Sequence, residues 1–183
     1  MGFEDASRLI LGEIEAALAK VDRERVAQLE EAIVGARAVF VTGEGRSGLV
    51  GRCFAMRLMH LGVQTYMVGG TTTPAIGEGD LLMALSGAGE TDTTCALART
   101  AAEAGASVAA LTAAEGSSLA SEAELLVIIA APTKGGGTGK SEQYGGSLFE
   151  QSLMILLDAM ALQLQRRLGE TPDQMGRRHA NLE

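Results

Sequence analysis

Val41-Thr42-Gly43-Glu44-Gly45-Arg46-Ser47-Gly48 joins a strand pattern to a helix pattern through glycines. It closes a short aliphatic run, Ala38–Thr42, turns through glycines, and opens at Ser47 onto apolar residues spaced three and four apart. That spacing predicts a helix over 47–61. The same order of parts returns further on. Asp80–Leu85 runs into Ser86-Gly87-Ala88-Gly89-Glu90-Thr91, and a helical pattern over 92–104 follows, with Gly105 as its stop. Near-continuous apolar runs of this length are what strands of a parallel sheet, buried on both faces, require.

Working outward, two helices are expected at 5–20 and 22–34, with Asp22 as N-cap and Gly35 at the end of the second. Gln64–Val68, Ser107–Thr112 and Leu125–Ala131 read as further strands, with a Thr71-Thr72-Thr73-Pro74 loop after the first and a short helix near Ser117–Ser121. A loop rich in Gly, Lys and Ser occupies 133–147. A long helix then spans Leu148–Leu168, stopped by Gly169, and a short helix is expected after Pro172. Strands alternating with helices define an α/β chain with a doubly wound, five-stranded parallel sheet and helices on both faces. The flavodoxin-like strand order 2-1-3-4-5 is expected. The organisation expected is one domain over 1–183: helices in 1–35, an α/β core in 36–131, a Gly-rich loop in 132–147, and a helix with its tail in 148–183.

In that strand order the first and third strands are neighbours, and ligands bind outside the carboxyl ends of strands where the order reverses. The loops at 43–48 and 86–91 then flank one crevice. Glycine lets backbone approach an anion, and free amides at a helix start donate to its oxygens with help from the helix dipole. The hydroxyls of Ser47, Ser86 and Thr91 add neutral donors. The plainer reading is two ordinary strand-to-helix turns with N-caps. Two rival motifs fit worse. Gly43, Gly45 and Gly48 spell a dinucleotide fingerprint, but Val68-Gly69-Gly70-Thr71 offers no acid for a ribose. Gly135–Ser141 resembles a Walker A loop, yet Lys134 replaces its first glycine and no helix follows at once, so a loop or lid is the reading kept.

Composition narrows the partners. The chain of 183 residues carries a formal charge of −8, which repels nucleic acid and anionic lipid. With no Trp and 3% aromatics, the core must be aliphatic. Cys53 and Cys95 each fall in an apolar helical pattern and read as buried thiols. Glu4, Asp5 and Glu13 near the start do not fit a signal peptide, and the longest uninterrupted apolar run near the end, Leu153–Leu157, is far short of a membrane span. A cytoplasmic protein is expected.

Among candidate catalytic groups Glu150 stands first. It sits at the start of the long helix, where the dipole suits a carboxylate, although Ser147-Leu148-Phe149-Glu150 also spells a capping box. His60 ends the helix that Ser47 begins, ~20 Å away at 1.5 Å per residue. It is therefore suited to a neighbouring subunit's site rather than its own, or to a plain interfacial role. His179 lies in a polar tail and reads as exposed. Neither histidine has metal-ligand spacing.

Val41–Gly48, the run Phe54-Ala55-Met56-Arg57-Leu58-Met59-His60-Leu61-Gly62, Thr71–Ile76, Ser86–Thr91, Gly146–Gln151 and the terminal Arg178-His179-Ala180-Asn181-Leu182-Glu183 together resemble the 6-phospho-3-hexuloisomerase family of sugar isomerase (SIS) domains. The resemblance implies interconversion of 3-hexulose 6-phosphate and fructose 6-phosphate through an enediol, in the ribulose monophosphate route of formaldehyde assimilation or pentose supply. It implies a homotetramer with no metal or organic cofactor. It implies phosphate binding by Gly45, Arg46 and Ser47 with Ser86, Gly87, Ala88, Gly89, Glu90 and Thr91, proton transfer by Glu150, and a His60 supplied by another subunit. Arg57 and His179 are further candidates. Ala88 departs from a more usual Ser, and Tyr144-Gly145 from Pro and Met. Two other functions are weighed: a different SIS isomerase, such as one acting on arabinose 5-phosphate or heptose phosphate, and a non-catalytic SIS sensor of a sugar phosphate. Glu150 and His60 occurring together favours an enzyme.

Overall fold

Two helices lead the chain. In the computed structural model, which describes residues 1–134 and 136–182, they are α1 (Phe3–Leu18) and α2 (Arg23–Gly35). Asp22 caps α2 as expected, its carboxylate accepting from the Glu24 and Arg25 amides at 2.8 and 3.4 Å. The sheet is built from β1 (Val39–Gly43), β2 (Thr65–Met67), β3 (Leu81–Leu85), β4 (Ser107–Thr112) and β5 (Leu125–Ile128). Its order is β2-β1-β3-β4-β5 and every pairing is parallel, the arrangement expected from the sequence.

Alternate residues of each strand serve opposite faces. Val39, Val41, Met83, Leu85 and Leu111 point to the face covered by α1, α2, α3 (Gly45–His60) and α6 (Ser147–Leu168). Phe40, Leu82, Ala84 and Ala110 point to the other, covered by α4 (Asp92–Glu103) and α5 (Ser118–Ser121). With alanines lining much of the second face, α4 seats closely through Cys95, Ala98 and Ala101.

Several expectations are corrected here. The fifth strand stops at Ile128. Pro132–Thr133 (β6) instead pairs antiparallel with Gly136–Gly137 (β7), so the segment expected as a plain loop begins with a small ribbon. Gly135 of the Walker-like stretch, and Glu183 of the terminal motif, lie outside the described residues. Helix α6 as a whole is long and apolar enough to cross a membrane, which the short run Leu153–Leu157 does not convey. Its buried stripe, Leu148, Phe149, Leu153, Leu157, Met160 and Leu164, packs into the core beside the sheet. Gly169 ends it at φ +69°, the left-handed cap that glycine adopts without a Cβ clash. The last helix, α7 (Pro172–Arg177), begins with a capping box between Thr171 and Gln174. Cys95 is buried, whereas Cys53 is only half-buried; both are free thiols.

Candidate active site

The carboxyl ends of β1 and β3 meet the start of α6 around a cleft of about 410 Å³. Ser47, Ser86, Gly87, Ala88 and Thr91 line one part of it, and Thr133, Lys134, Phe149 and Glu150 the other. The turn from β1 into α3 is possible because residue 48 has no side chain. A Cβ there would run into the Gly43 carbonyl oxygen, so α3 starts hard against the strand. That start brings Ser47, itself buried, to the cleft wall. In the second loop the Ser86 and Thr91 hydroxyls lie 3.0 Å apart, and the Gly89 amide donates to Ser86 Oγ at 3.2 Å. The three hydroxyls singled out from sequence thus face one cavity.

Glu150 enters from the opposite side. Leu148, Phe149 and Leu153 are buried and fix this end of α6. A Cβ on Gly87 would come within 3.0 Å of the Phe149 ring and 3.2 Å of Thr133, so the 86–91 loop, α6 and β6 close on one another here. The Glu150 side chain is 17% exposed, and Arg46 Nε approaches its Oε2 at 2.5 Å. The approach is an ion pair in distance but not a hydrogen bond in direction. Oε2 remains buried without a hydrogen-bond partner.

The capping box expected at Ser147–Glu150 is absent. Gly146 is the N-cap and carries no side-chain cap; Ser147 is already helical, and its hydroxyl donates back to the Tyr144 carbonyl at 2.8 Å. Glu150 is therefore not engaged in capping. Glu90 is also placed differently from the expectation. Its carboxylate accepts from the Ser118 amide at 2.8 Å and the Ser118 hydroxyl at 2.6 Å, and it does not line the cleft. These bonds hold its pKa below the ordinary glutamate value. Gly45 lines the cleft, Gly89 does not, and Arg46 lines the neighbouring groove beside Glu150.

His60, Arg57 and His179 come together away from this cleft, at the far end of α3. His60 is buried and its ring stacks on His179 with centroids 5.1 Å apart. Arg57 Nη1 lies 3.5 Å from His60 Nδ1. A guanidinium only donates, so Nδ1 accepts and the neutral ring carries its proton on Nε2. Burial, then the charges of His179 and Arg57, hold His60 below the usual histidine range. Arg178 donates to the His60 carbonyl at 2.8 Å and grips Glu170 at 2.8 and 3.0 Å, which clasps the tail onto α3. Gly62, at φ +80°, makes room: a Cβ there would stand 3.1 Å from the Arg178 guanidinium. His179 is exposed as expected but not idle; nothing local in the tail's sequence announces a partner more than a hundred residues away. Glu44, Thr133, Lys134 and Phe149 also line the cleft without having been singled out; Thr133 and Lys134 carry a signal only in following the last sheet strand.

A cleft of hydroxyls and two carboxylates, Glu44 and Glu150, lies at the switch point of the five-stranded parallel sheet, and the model of the SIS domain family matches residues 32–145. The chain is 47% identical over 176 residues to a 3-hexulose-6-phosphate isomerase of Mycobacterium gastri, covering 96% of this chain and 88% of that one. It is 39% identical to a 3-hexulose-6-phosphate isomerase of Bacillus subtilis, covering 95% of each. A solved structure of a hypothetical protein from Methanococcus jannaschii, for which a molecular function of 3-hexulose-6-phosphate isomerase was inferred, superposes with a TM-score of 0.87 at 31% identity, over 98% of this chain and 99% of that one. The chain belongs to the SIS domain family and, within it, to the family of these 3-hexulose-6-phosphate isomerases.

Proposed function

We propose that the protein is a sugar-phosphate isomerase that interconverts 3-hexulose 6-phosphate and fructose 6-phosphate. The observation that carries the reading is the Glu150 carboxylate: it enters a hydroxyl-lined cleft, paired to Arg46 and free of any capping role. The reaction needs one base and two adjacent carbons. Glu150 takes the proton from C2 of the 3-ketose while the C3 carbonyl oxygen gains one. The resulting enediol is reprotonated by the same carboxyl at C3, and the O2 proton departs to leave the C2 ketone of fructose 6-phosphate. The Ser47, Ser86 and Thr91 hydroxyls, with the amides of the two loops, hold the phosphate. Arg46 orients the carboxylate.

His60 assists the hydroxyl proton transfers from a neighbouring subunit. Two features support an oligomer, taken here as a tetramer. His60 lies ~20 Å along α3 from Ser47. An apolar groove of about 560 Å³, lined by Ile10, Ile14, Leu49, Val50, Met154 and Ile155, adjoins Arg46 and Glu150, and exposed apolar patches of this kind mark interaction surfaces. The whole chain, 1–183, acts as one domain. The protein works in the cytoplasm, in the ribulose monophosphate route, without metal or organic cofactor. The test is conversion of 3-hexulose 6-phosphate to fructose 6-phosphate with a chelator present. Activity that survives the chelator supports the reading. Binding without turnover points to a non-catalytic sensor, and turnover of arabinose 5-phosphate instead points to another SIS isomerase.

A further inference from the structure

The cleft is poorly supplied with positive charge for a sugar phosphate. Its lining includes two carboxylates, Glu44 and Glu150, and among the described residues one cationic side chain, Lys134. Arg46 stands just outside, paired to Glu150. Ala88, in the middle of the 86–91 loop, offers no hydroxyl. A phosphate monoester carries roughly −1.5 to −2 at neutral pH, so neutral donors alone would leave it facing two like charges.

Lys134 follows Thr133, whose methyl lies where a Gly87 Cβ would meet it at 3.2 Å, so its backbone is anchored beside the 86–91 loop. Its side chain is exposed, and its ammonium sits over the Tyr144 ring, 5.2 Å from the centroid. The contact joins the two ends of the 134–144 segment. An exposed cation–π contact is weak, and a phosphate is a stronger partner for an ammonium, as a charge-assisted hydrogen bond. We propose that Lys134 is the phosphate-binding cation of this cleft, parked on Tyr144 when the cleft is empty and transferred to the substrate phosphate when it is filled. The proposal deepens the sugar-phosphate reading of the site and rests on it.

The test compares the wild type with Lys134→Gln and Lys134→Arg, using inorganic phosphate, fructose 6-phosphate and fructose as probes in titration calorimetry, and steady-state kinetics on 3-hexulose 6-phosphate. Because Lys134 is exposed, neither variant should disturb folding, and a thermal melt checks this. Losing one charge-assisted contact should weaken binding of both phosphate and fructose 6-phosphate by about 10- to 100-fold in Lys134→Gln. Lys134→Arg should restore most of it, fructose should bind no differently among the three, and kcat at saturation should stay within about threefold of wild type, as expected for lost uniform binding. An unchanged dissociation constant for phosphate in Lys134→Gln overturns the proposal. So does a fall in kcat with unchanged affinity, or a wild type that binds no phosphate at all. If the wild type binds fructose 6-phosphate but turns over no 3-hexulose 6-phosphate, the isomerase reading fails while the dissociation constants still decide the role of Lys134.

Discussion

Replacing Glu150 by Gln removes a base and little else. The amide has the shape of the carboxylate and cannot take a proton at neutral pH. Its structural cost follows from the surroundings. Among the described residues the close partner of the carboxylate is Arg46, whose side chain is 62% exposed. An ion pair open to water on that scale contributes ~0–1 kcal/mol, and for a chain of this size ~1 kcal/mol corresponds to a melting shift of about 2–4 °C. No capping energy is at stake, since Gly146 is the N-cap and Ser147 bonds to Tyr144. The catalytic cost is of another order, because loss of a positioned base costs ~10²–10⁴-fold in rate.

The two quantities are measured separately. A thermal melt should place Glu150→Gln within about 4 °C of the wild type, the upper figure for losing one exposed ion pair. Calorimetry should show fructose 6-phosphate still bound, and the rate of fructose 6-phosphate formation should fall by at least about a hundredfold, the lower limit for a lost base. Turnover within threefold of wild type refutes the assignment. It would move the proton transfer to another group and leave Glu150 as the ion-pair partner of Arg46 alone.

Three further outcomes follow. Ser47→Ala should raise KM by about 10- to 100-fold through loss of one hydrogen bond to a charged group with kcat little changed; an unchanged KM removes Ser47 from the phosphate site. Mixing inactive Glu150→Gln chains with inactive His60→Asn chains should restore part of the activity, since some sites then combine an intact Glu150 with an intact His60; verified mixed oligomers without activity would show that His60 acts within its own chain. Asp80→Asn should lower the melting temperature by about 4–8 °C at pH 7, taking ~2 kcal/mol for a broken buried bond network. Asp80 is gripped by Arg37 at 2.7 and 2.9 Å and by the Gly77 amide at 2.9 Å, and the Arg37 bond, against the cost of burial, holds its pKa below the ordinary aspartate value. A depressed pKa gives stability that is present above the unfolded pKa and lost as pH falls through the folded one. The gap between wild type and Asp80→Asn should therefore close under acid, and a gap constant down to the acid limit would contradict this origin.

The sheet was legible because its strands are buried on both faces, and a run such as Leu81–Leu85 shows that in its residue types alone. The order of the strands was expected from the flavodoxin-like pattern, and the meeting of the two glycine loops at one crevice followed from that order. What the sequence does not show is which of two local geometries a turn adopts. Ser147-Leu148-Phe149-Glu150 has the residues of a capping box, but the chain enters α6 one residue earlier, at Gly146, so the pattern is out of register with the helix. Glu90 stands among phosphate-loop residues, yet a carboxylate there finds the Ser118 amide and hydroxyl instead of the cleft. Lys134 and the contacts of His179 were hidden for a different reason. Each acquires its meaning from surroundings that only the tertiary fold supplies, the cleft and the Tyr144 ring for Lys134 and the end of α3 for His179.

Helix α3 has a part in two places at once. Its first turn, fixed against β1 by Gly48, carries Ser47 to the cleft, and its last turn carries His60, oriented by Arg57 and clasped through its carbonyl by Arg178 of the tail. A rigid rod cannot deliver both ends to one site. In a closed symmetric assembly every surface recurs on each copy, so the far end of one α3 can approach the cleft of another while its own cleft receives a neighbour's. The investment at the far end fits such a use. Stacked imidazoles, a guanidinium on Nδ1 and a Gly62 kept open for Arg178 fix the ring and put its proton on Nε2. A histidine that only filled space at a helix end would need none of that orientation.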